Sequence, residues 1–218
     1  MKNTLMNTEM AKATIDDRKV QTRRVIKSHI DINNDCNFSH KCSDGSFRFD
    51  SLNKNYFATI DAKYQKGEII WVREPVKITR CDNILRQYDY KYLADNANKY
   101  QVDIPERFIY HPLKADIECR SFPKWIQYSQ GIPNGCIKEM ARIFLKVTNV
   151  RVEKLESISY EDIVAEGFDV TLFDGTKGQL KKEAKKWWIN LWNKTAPKGY
   201  KYGDDVYVFV YEFERVEK

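Results

Sequence analysis

The sequence lacks any apolar run approaching the roughly 18–20 residues that a helix needs to span a membrane, which excludes a helical anchor of that kind. Its opening residues, Met1-Lys2-Asn3-Thr4-Leu5-Met6-Asn7, have no apolar core of the sort a secretory leader carries. A cytoplasmic protein is the expectation. Cysteine is sparse and poorly arranged for cross-linking: there are five, an odd number at irregular spacing, so reduced thiols are expected rather than a disulfide framework. Cys36-x3-His40-x-Cys42 has metal-ligand residue types but no paired short spacing to complete a tetrahedral set; His29, Cys81 or Cys119 would have to be brought in by the fold. Neither a metal nor another cofactor is expected.

What is present is the composition of an ordinary globular protein, long enough at 218 residues to bury a substantial core in one domain. Tyrosine (13), phenylalanine (11) and tryptophan (5) make it rich in aromatics, and the net charge is +6. Both suit a nucleotide or nucleic-acid partner, although lysine-rich surfaces also serve solubility.

The stretch best placed for chemistry is Arg18-Lys19-Val20-Gln21-Thr22-Arg23-Arg24-Val25-Ile26, where four cations surround one hydroxyl. Read as a strand from Val20 to Ile26, it puts Val20, Thr22 and Arg24 on one face and Gln21, Arg23 and Val25 on the other. Lys19, at the turn before the strand, is then within reach of Thr22. A solvated basic run explains the same cations equally well.

Before that stretch, Thr8 is suited to cap a short helix with Glu9 in its first turn, and Asp17 tolerates the left-handed conformation that ends helices. Residues 27–55, rich in Asn, Asp, Ser, Cys and Gly, read as a long loop or insertion. Ile69-Ile70-Trp71-Val72-Arg73-Glu74 is a central strand closed by Pro75. Residues 77–130 hold many aromatics, among them Tyr88, Tyr90, Tyr92, Tyr100, Tyr110, Phe122, Trp125 and Tyr128, without a repeat or clear period; short strands and loops are expected, with core packing favoured over a stacking platform. The run 142–152 is a core strand. Ser159 then caps a short helix that stops at Gly167, so Glu166 sits at the negative pole of the helix dipole, where a carboxylate is unfavourable. Leu180, Ala184, Trp187, Trp188, Leu191 and Trp192 make an amphipathic helix edged by Lys181, Lys182, Lys185 and Lys186. A last strand, 206–213, is apolar on both faces. The order predicts an α+β fold, a mixed and twisted sheet closing towards a barrel with helices outside.

Four stretches together resemble the ASCH domains of the PUA-like superfamily, in the phage and prophage branch: 15–26, 66–74, 141–155 continuing to Ala165-Glu166-Gly167, and 208–216. The resemblance covers about half the chain and leaves 27–55 and 77–130 as insertions into a single domain. It implies a PUA-like β-barrel with a cleft for a base or nucleoside, and a host cytoplasm if the chain is phage-encoded. Small bacterial relatives include an amidohydrolase that removes the acetyl group of N(4)-acetylcytidine with a Lys, a Thr three residues later and a distant Glu. Lys19, Thr22 and Glu166 match those positions, so the resemblance implies Thr22 as nucleophile, Lys19 as its base and Glu166 as the acid for the departing amine. Asp17 stands where many members have Gly. The resemblance further implies binding roles for Arg18, Arg23, Arg24, Arg73 and Glu74 towards a nucleoside or nucleic acid, RNA more than DNA. A non-catalytic reader of RNA or of a modified base is the competing expectation. Single-strand RNA cleavage has precedent among relatives, but no clean nuclease signature is present.

Overall fold

The computed structural model describes residues 1–29, 31–53, 56–82, 84–108, 131–132 and 135–217. In chain order these form β1 (Asn3–Leu5), α1 (Thr8–Ile15), β2 (Gln21–Val25), α2 (Ile32–Asp35), β3 (Cys36–Lys41), β4 (Phe47–Ser51), β5 (Phe57–Ile60), β6 (Ile69–Arg73), β7 (Val76–Asp82), β8 (Gln87–Tyr92), β9 (Asn98–Asp103), β10 (Phe144–Lys154), α3 (Tyr160–Ala165), α4 (Lys177–Thr195) and β11 (Tyr207–Val216). This is a mixed α+β chain made mostly of strands. It divides into two compact units, one of residues Met1–Lys12 and Ile70–Phe144, the other of Ala13–Ile69 and Leu145–Lys218.

In the second unit β10, β11 and β2 are successive neighbours. β11 runs antiparallel to β2 from Val208 opposite Val25 to Glu212 opposite Gln21. Alternation along β11 serves two layers, which is why this strand is apolar on both faces. Val208 and Val210 enter a buried cluster with Leu155, Ile163, Ala184, Trp188 and Trp192. Tyr207, Phe209 and Tyr211 pack the other way, onto Phe49, Phe47 and Tyr64, with ring centroids 5.0–5.3 Å apart. Trp188 and Trp192 are thus core anchors, each stabilising the unit by about 1.5–3 kcal/mol through burial. Helix α4 is started by a capping box between Thr176 and Gln179.

The reading of residues 27–55 as a long loop is corrected. Asp31 caps α2 through its side chain, and β3, β4 and β5 pair antiparallel in that order. The period-2 signal is short but present: Phe47, Phe49 and Ser51 are buried while Arg48 and Asp50 are partly exposed. Thr8 is likewise not the cap of α1; Asn7 Oδ1 accepts the Met10 N–H at 2.8 Å.

In the first unit β1 lies parallel to β6, Asn3 opposite Trp71, and β7, β8 and β9 form an antiparallel sheet. Tyr88, Tyr90 and Tyr92 are buried on one side of β8, so this part of the aromatic run is core. The Tyr92 hydroxyl donates to the Met140 carbonyl at 2.6 Å. Cys119, Tyr110, Phe122, Trp125 and Tyr128 lie outside the described residues.

Candidate active site

Two backbone turns build the site. Asp17 adopts a left-handed conformation (φ 56°) at the end of α1, and the Arg18 and Lys19 amides both donate to the Ala13 carbonyl. The next amide, Val20 N–H, donates to the Ala165 carbonyl at 2.9 Å, which ties the entry to β2 against the end of α3. On the α3 side, Ser159 caps the helix by accepting the Asp162 N–H, Glu166 is the C-terminal cap, and Gly167 takes φ 109°. A Cβ on Gly167 would stand 3.0 Å from the Ala13 Cβ and 3.3 Å from the Lys19 Cβ. Glycine is therefore required both for its backbone angle and for the close approach.

These turns bring Lys19 and Glu166 into contact across 147 residues of sequence. Lys19 Nζ donates to Glu166 Oε2 at 2.7 Å, to the Glu166 carbonyl at 3.0 Å and to the Gln21 carbonyl at 2.7 Å. An ammonium has three N–H donors, and each finds an oxygen. Lys19 is 3 % and Glu166 2 % exposed, so the pair is cut off from water. Burial lowers the Lys19 pKa, opposed chiefly by the charge of Glu166 and its hydrogen bond. The unfavourable position of Glu166 at the helix end is offset by two cations, since Arg23 Nη1 reaches Glu166 Oε1 at 3.3 Å.

Arg23 ties the pair to a wider charge cluster. Its Nη2 donates to Asp162 at 3.0 Å and to Glu153 at 2.9 Å, and its guanidinium lies 5.8 Å from the centroid of a Trp188 ring. Arg151 binds Asp162, Glu153, Gln21 Oε1 and Glu212. Burial resists ionisation of Asp162, yet Arg23 and Arg151 together hold its carboxyl below the usual range. Three cations, Lys19, Arg23 and Arg151, face four carboxylates, Glu153, Asp162, Glu166 and Glu212, so every cation of the cluster is paired and one negative charge is left over.

Not every expected site residue joins the pair. Thr22 is buried on β2 opposite Tyr211, and strand alternation turns its side chain to the face away from Gln21 and Arg23. Its hydroxyl has no hydrogen-bond partner among Lys19, Glu166 and the other described residues. Arg18 binds the Gly167 carbonyl and Asp16, fastening the turn; Arg24 is half-buried and touches the Arg23 carbonyl.

Two of the residues expected to bind substrate or nucleic acid are engaged within the fold. Arg23 is 2 % exposed with its terminal nitrogens on carboxylates, so it has no face to offer a phosphate or base. Glu74, in the other unit, is 0 % exposed, and both its oxygens accept from Arg142 at 2.8 Å; it locks Arg142, which also binds Asp95 and lies 3.7 Å from the Tyr92 ring centroid. Arg73 is half-buried at the end of β6, next to this ion pair in sequence.

The residues that sequence reasoning passed over are Arg151, Glu153 and Asp162. Arg151 and Glu153 sit two apart on β10, on one face of the strand, which is the signal that a paired partner was needed. Cys36, Cys42, Cys81 and Cys136 are free thiols, and among the described residues no group of three or more His, Cys, Asp and Glu is arranged so that it could hold a metal ion. Among those residues no helix is long and apolar enough to cross a membrane. No family model, curated protein or solved structure matches the chain.

Proposed function

We propose that this chain is an ASCH-type, PUA-like amidohydrolase that removes an acyl group from the exocyclic amine of a modified cytidine or related nucleoside, in the cytoplasm. The observation that carries the reading is the buried 2.7 Å contact between Lys19 Nζ and Glu166 Oε2. These are the base and the acid that the family resemblance names, and they meet although 147 residues separate them.

Burial lowers the Lys19 pKa, which favours the neutral amine that can act as a base. With the shared proton on Glu166, Lys19 is neutral and serves as a base. Thr22 Oγ attacks the amide carbonyl and its proton passes to Lys19; the C–N bond breaks and the departing amine takes the proton of Glu166. Lys19 and Glu166 are then the ion pair described above, beside an acyl ester on Thr22. Water attacks that ester, Glu166 takes the water proton, Lys19 returns its proton to the Thr22 oxygen, and the carboxylic acid leaves. For Lys19 to reach Thr22 it must release one of its three oxygen partners, with substrate occupying the Thr22 face.

A second reading, a non-catalytic binding module, is favoured by one specific observation: every N–H of the Lys19 ammonium is already satisfied, as in a purely structural ion pair. Chromatography of N(4)-acetylcytidine incubated with the protein separates the two. Cytidine release lowered about 10²–10⁴-fold by Lys19→Ala and by Glu166→Ala supports the hydrolase. No release by the folded wild type transfers the assignment to the binding module.

A further inference from the structure

The β3–β5 sheet has two faces. Phe47 and Phe49 turn inwards onto Phe209 and Tyr207. Arg48 and Asp50 alternate with them on β4 and therefore point away from β11. On that outer face Asn37 of β3 and Phe57 of β5 stand opposite Asp50, one on either side. Directly opposed residues share a face, and Arg48, two residues along the strand, reaches Phe57 as a diagonal neighbour. An open cleft of about 480 Å³ lies here, with Asn37, Arg48 and Asp50 as its polar wall and Leu52, Tyr56 and Phe57 as its apolar one. Those three apolar residues are 56, 43 and 55 % exposed. Large apolar side chains left half in water around one concavity mark a binding place, whereas apolar residues scattered singly over a surface need no explanation.

The cation in the cleft is held ready. Arg48 Nε donates to Asp50 Oδ1 at 2.7 Å, and the guanidinium carbon lies 4.0 Å from the centroid of the Phe57 ring. These two contacts fix the group and leave its fork open: neither Nη1 nor Nη2 has a hydrogen-bond partner among the described residues. The bond from Arg48 holds the Asp50 carboxyl below the usual range, so Asp50 stays ionised beside the fork.

We infer that this cleft binds a small carboxylic acid with an apolar body, its carboxylate on the Arg48 fork and its hydrocarbon against Leu52, Tyr56 and Phe57. A carboxylate meets the two free Nη groups with two parallel N–H···O bonds. A phosphate monoester fits less well, because a dianion would sit beside the ionised Asp50, and Arg48 is the one cation among the described lining residues. A neutral apolar molecule would leave the fork unused. The volume falls within the roughly 300–1,000 Å³ of small-molecule sites. The cleft opens on the side of the sheet turned away from β11, the strand that sets Tyr211 opposite Thr22. It stands apart from the hydrolase reading, and failure of cytidine release leaves it in place.

Titration of isotope-labelled protein with 4-phenylbutyrate, followed by NMR shifts of the backbone amides and of Arg48 Nε–H, tests it. A molecule of this size is expected to bind with a dissociation constant of about 1 mM, with shifts centred on Arg48, Leu52 and Phe57. The alcohol 4-phenyl-1-butanol keeps the hydrocarbon and lacks the carboxylate; it should bind about 10-fold more weakly. The monoester 4-phenylbutyl phosphate should bind no more tightly than the acid. Arg48→Gln should weaken the acid about 10-fold and leave the alcohol unchanged, with Tm unaltered because the side chain is at the surface. Arg48→Lys keeps the charge and loses the fork, and should recover only part of the affinity. No saturable shift below about 20 mM, well above the expected constant, would overturn the inference. So would equal affinity for acid and alcohol, tighter binding of the phosphate, or an Arg48→Lys variant as good as the wild type.

Discussion

Replacing Glu166 by Leu tests the buried pair through stability alone. The substitution leaves the Lys19 ammonium with two carbonyl oxygens and no counter-ion in a site closed to water. Removing one partner of a buried pair costs about 3–5 kcal/mol. With a urea m-value of about 3 kcal/mol/M, the midpoint should fall by about 1–1.7 M. Lys19→Met should cost less, about 1–3 kcal/mol, because Glu166 keeps Arg23 at 3.3 Å. The double variant Lys19→Met/Glu166→Leu should lie within about 1 kcal/mol of the wild type, since apolar side chains then replace both charges. The pH dependence has a definite sign. Burial already lowers the Lys19 pKa, and removing Glu166 removes the negative charge that chiefly opposes this. Between that lowered pKa and the unfolded value of about 10.4, the unfolded chain binds a proton that the folded one does not, so stability rises with pH. The Glu166→Leu deficit should shrink steadily as pH is raised towards 10. Urea titrations followed by tryptophan fluorescence at several pH values measure all of this. A deficit below 1 kcal/mol that does not change with pH would mean the ammonium is not desolvated, and the reasoning would fail.

Other expectations follow from single positions. Gly167→Ala introduces a Cβ at φ 109° within 3.0 Å of Ala13, and should lower stability by about 1–3 kcal/mol while displacing Lys19 enough to depress any hydrolysis; Tm and turnover measured together check it. Glu74→Gln weakens the two charge-assisted bonds to Arg142, and thermal melts should show a loss of about 2–4 kcal/mol, against little change in hydrolysis. Asp162, whose carboxyl is held below the usual range, contributes stability that is present above pH about 4 and is lost as pH falls through its lowered value. Asp162→Asn should therefore flatten the acid limb of a stability-against-pH curve.

The strands β2, β10 and β11 and the helices α3 and α4 were legible because each announces itself locally. β10 and β11 are long β-forming runs, α4 has its tryptophan stripe, and α3 lies between Ser159 and Gly167. The β3–β5 sheet was hidden by polar composition, its period-2 pattern reduced to Phe47-x-Phe49-x-Ser51. At the site, the corner at Asp17 and the helix end at Glu166 could be read from turn chemistry. What could not be read is which charges neutralise one another. Arg23 looked like a ligand contact because its three carboxylates lie 130 to 143 residues away in sequence, and nothing local in a cation reveals such distant partners. The same limit concealed Arg142 behind Glu74.

The most direct test of the proposed chemistry is the behaviour of Thr22→Ala towards N(4)-acetylcytidine, with binding of the nucleoside followed by calorimetry and its turnover by chromatography. Loss of cytidine release with affinity kept within a few-fold of the wild type is predicted, because the hydroxyl is needed for bond making and not for holding the base. Release at the wild-type rate would contradict the account and remove Thr22 from the chemistry.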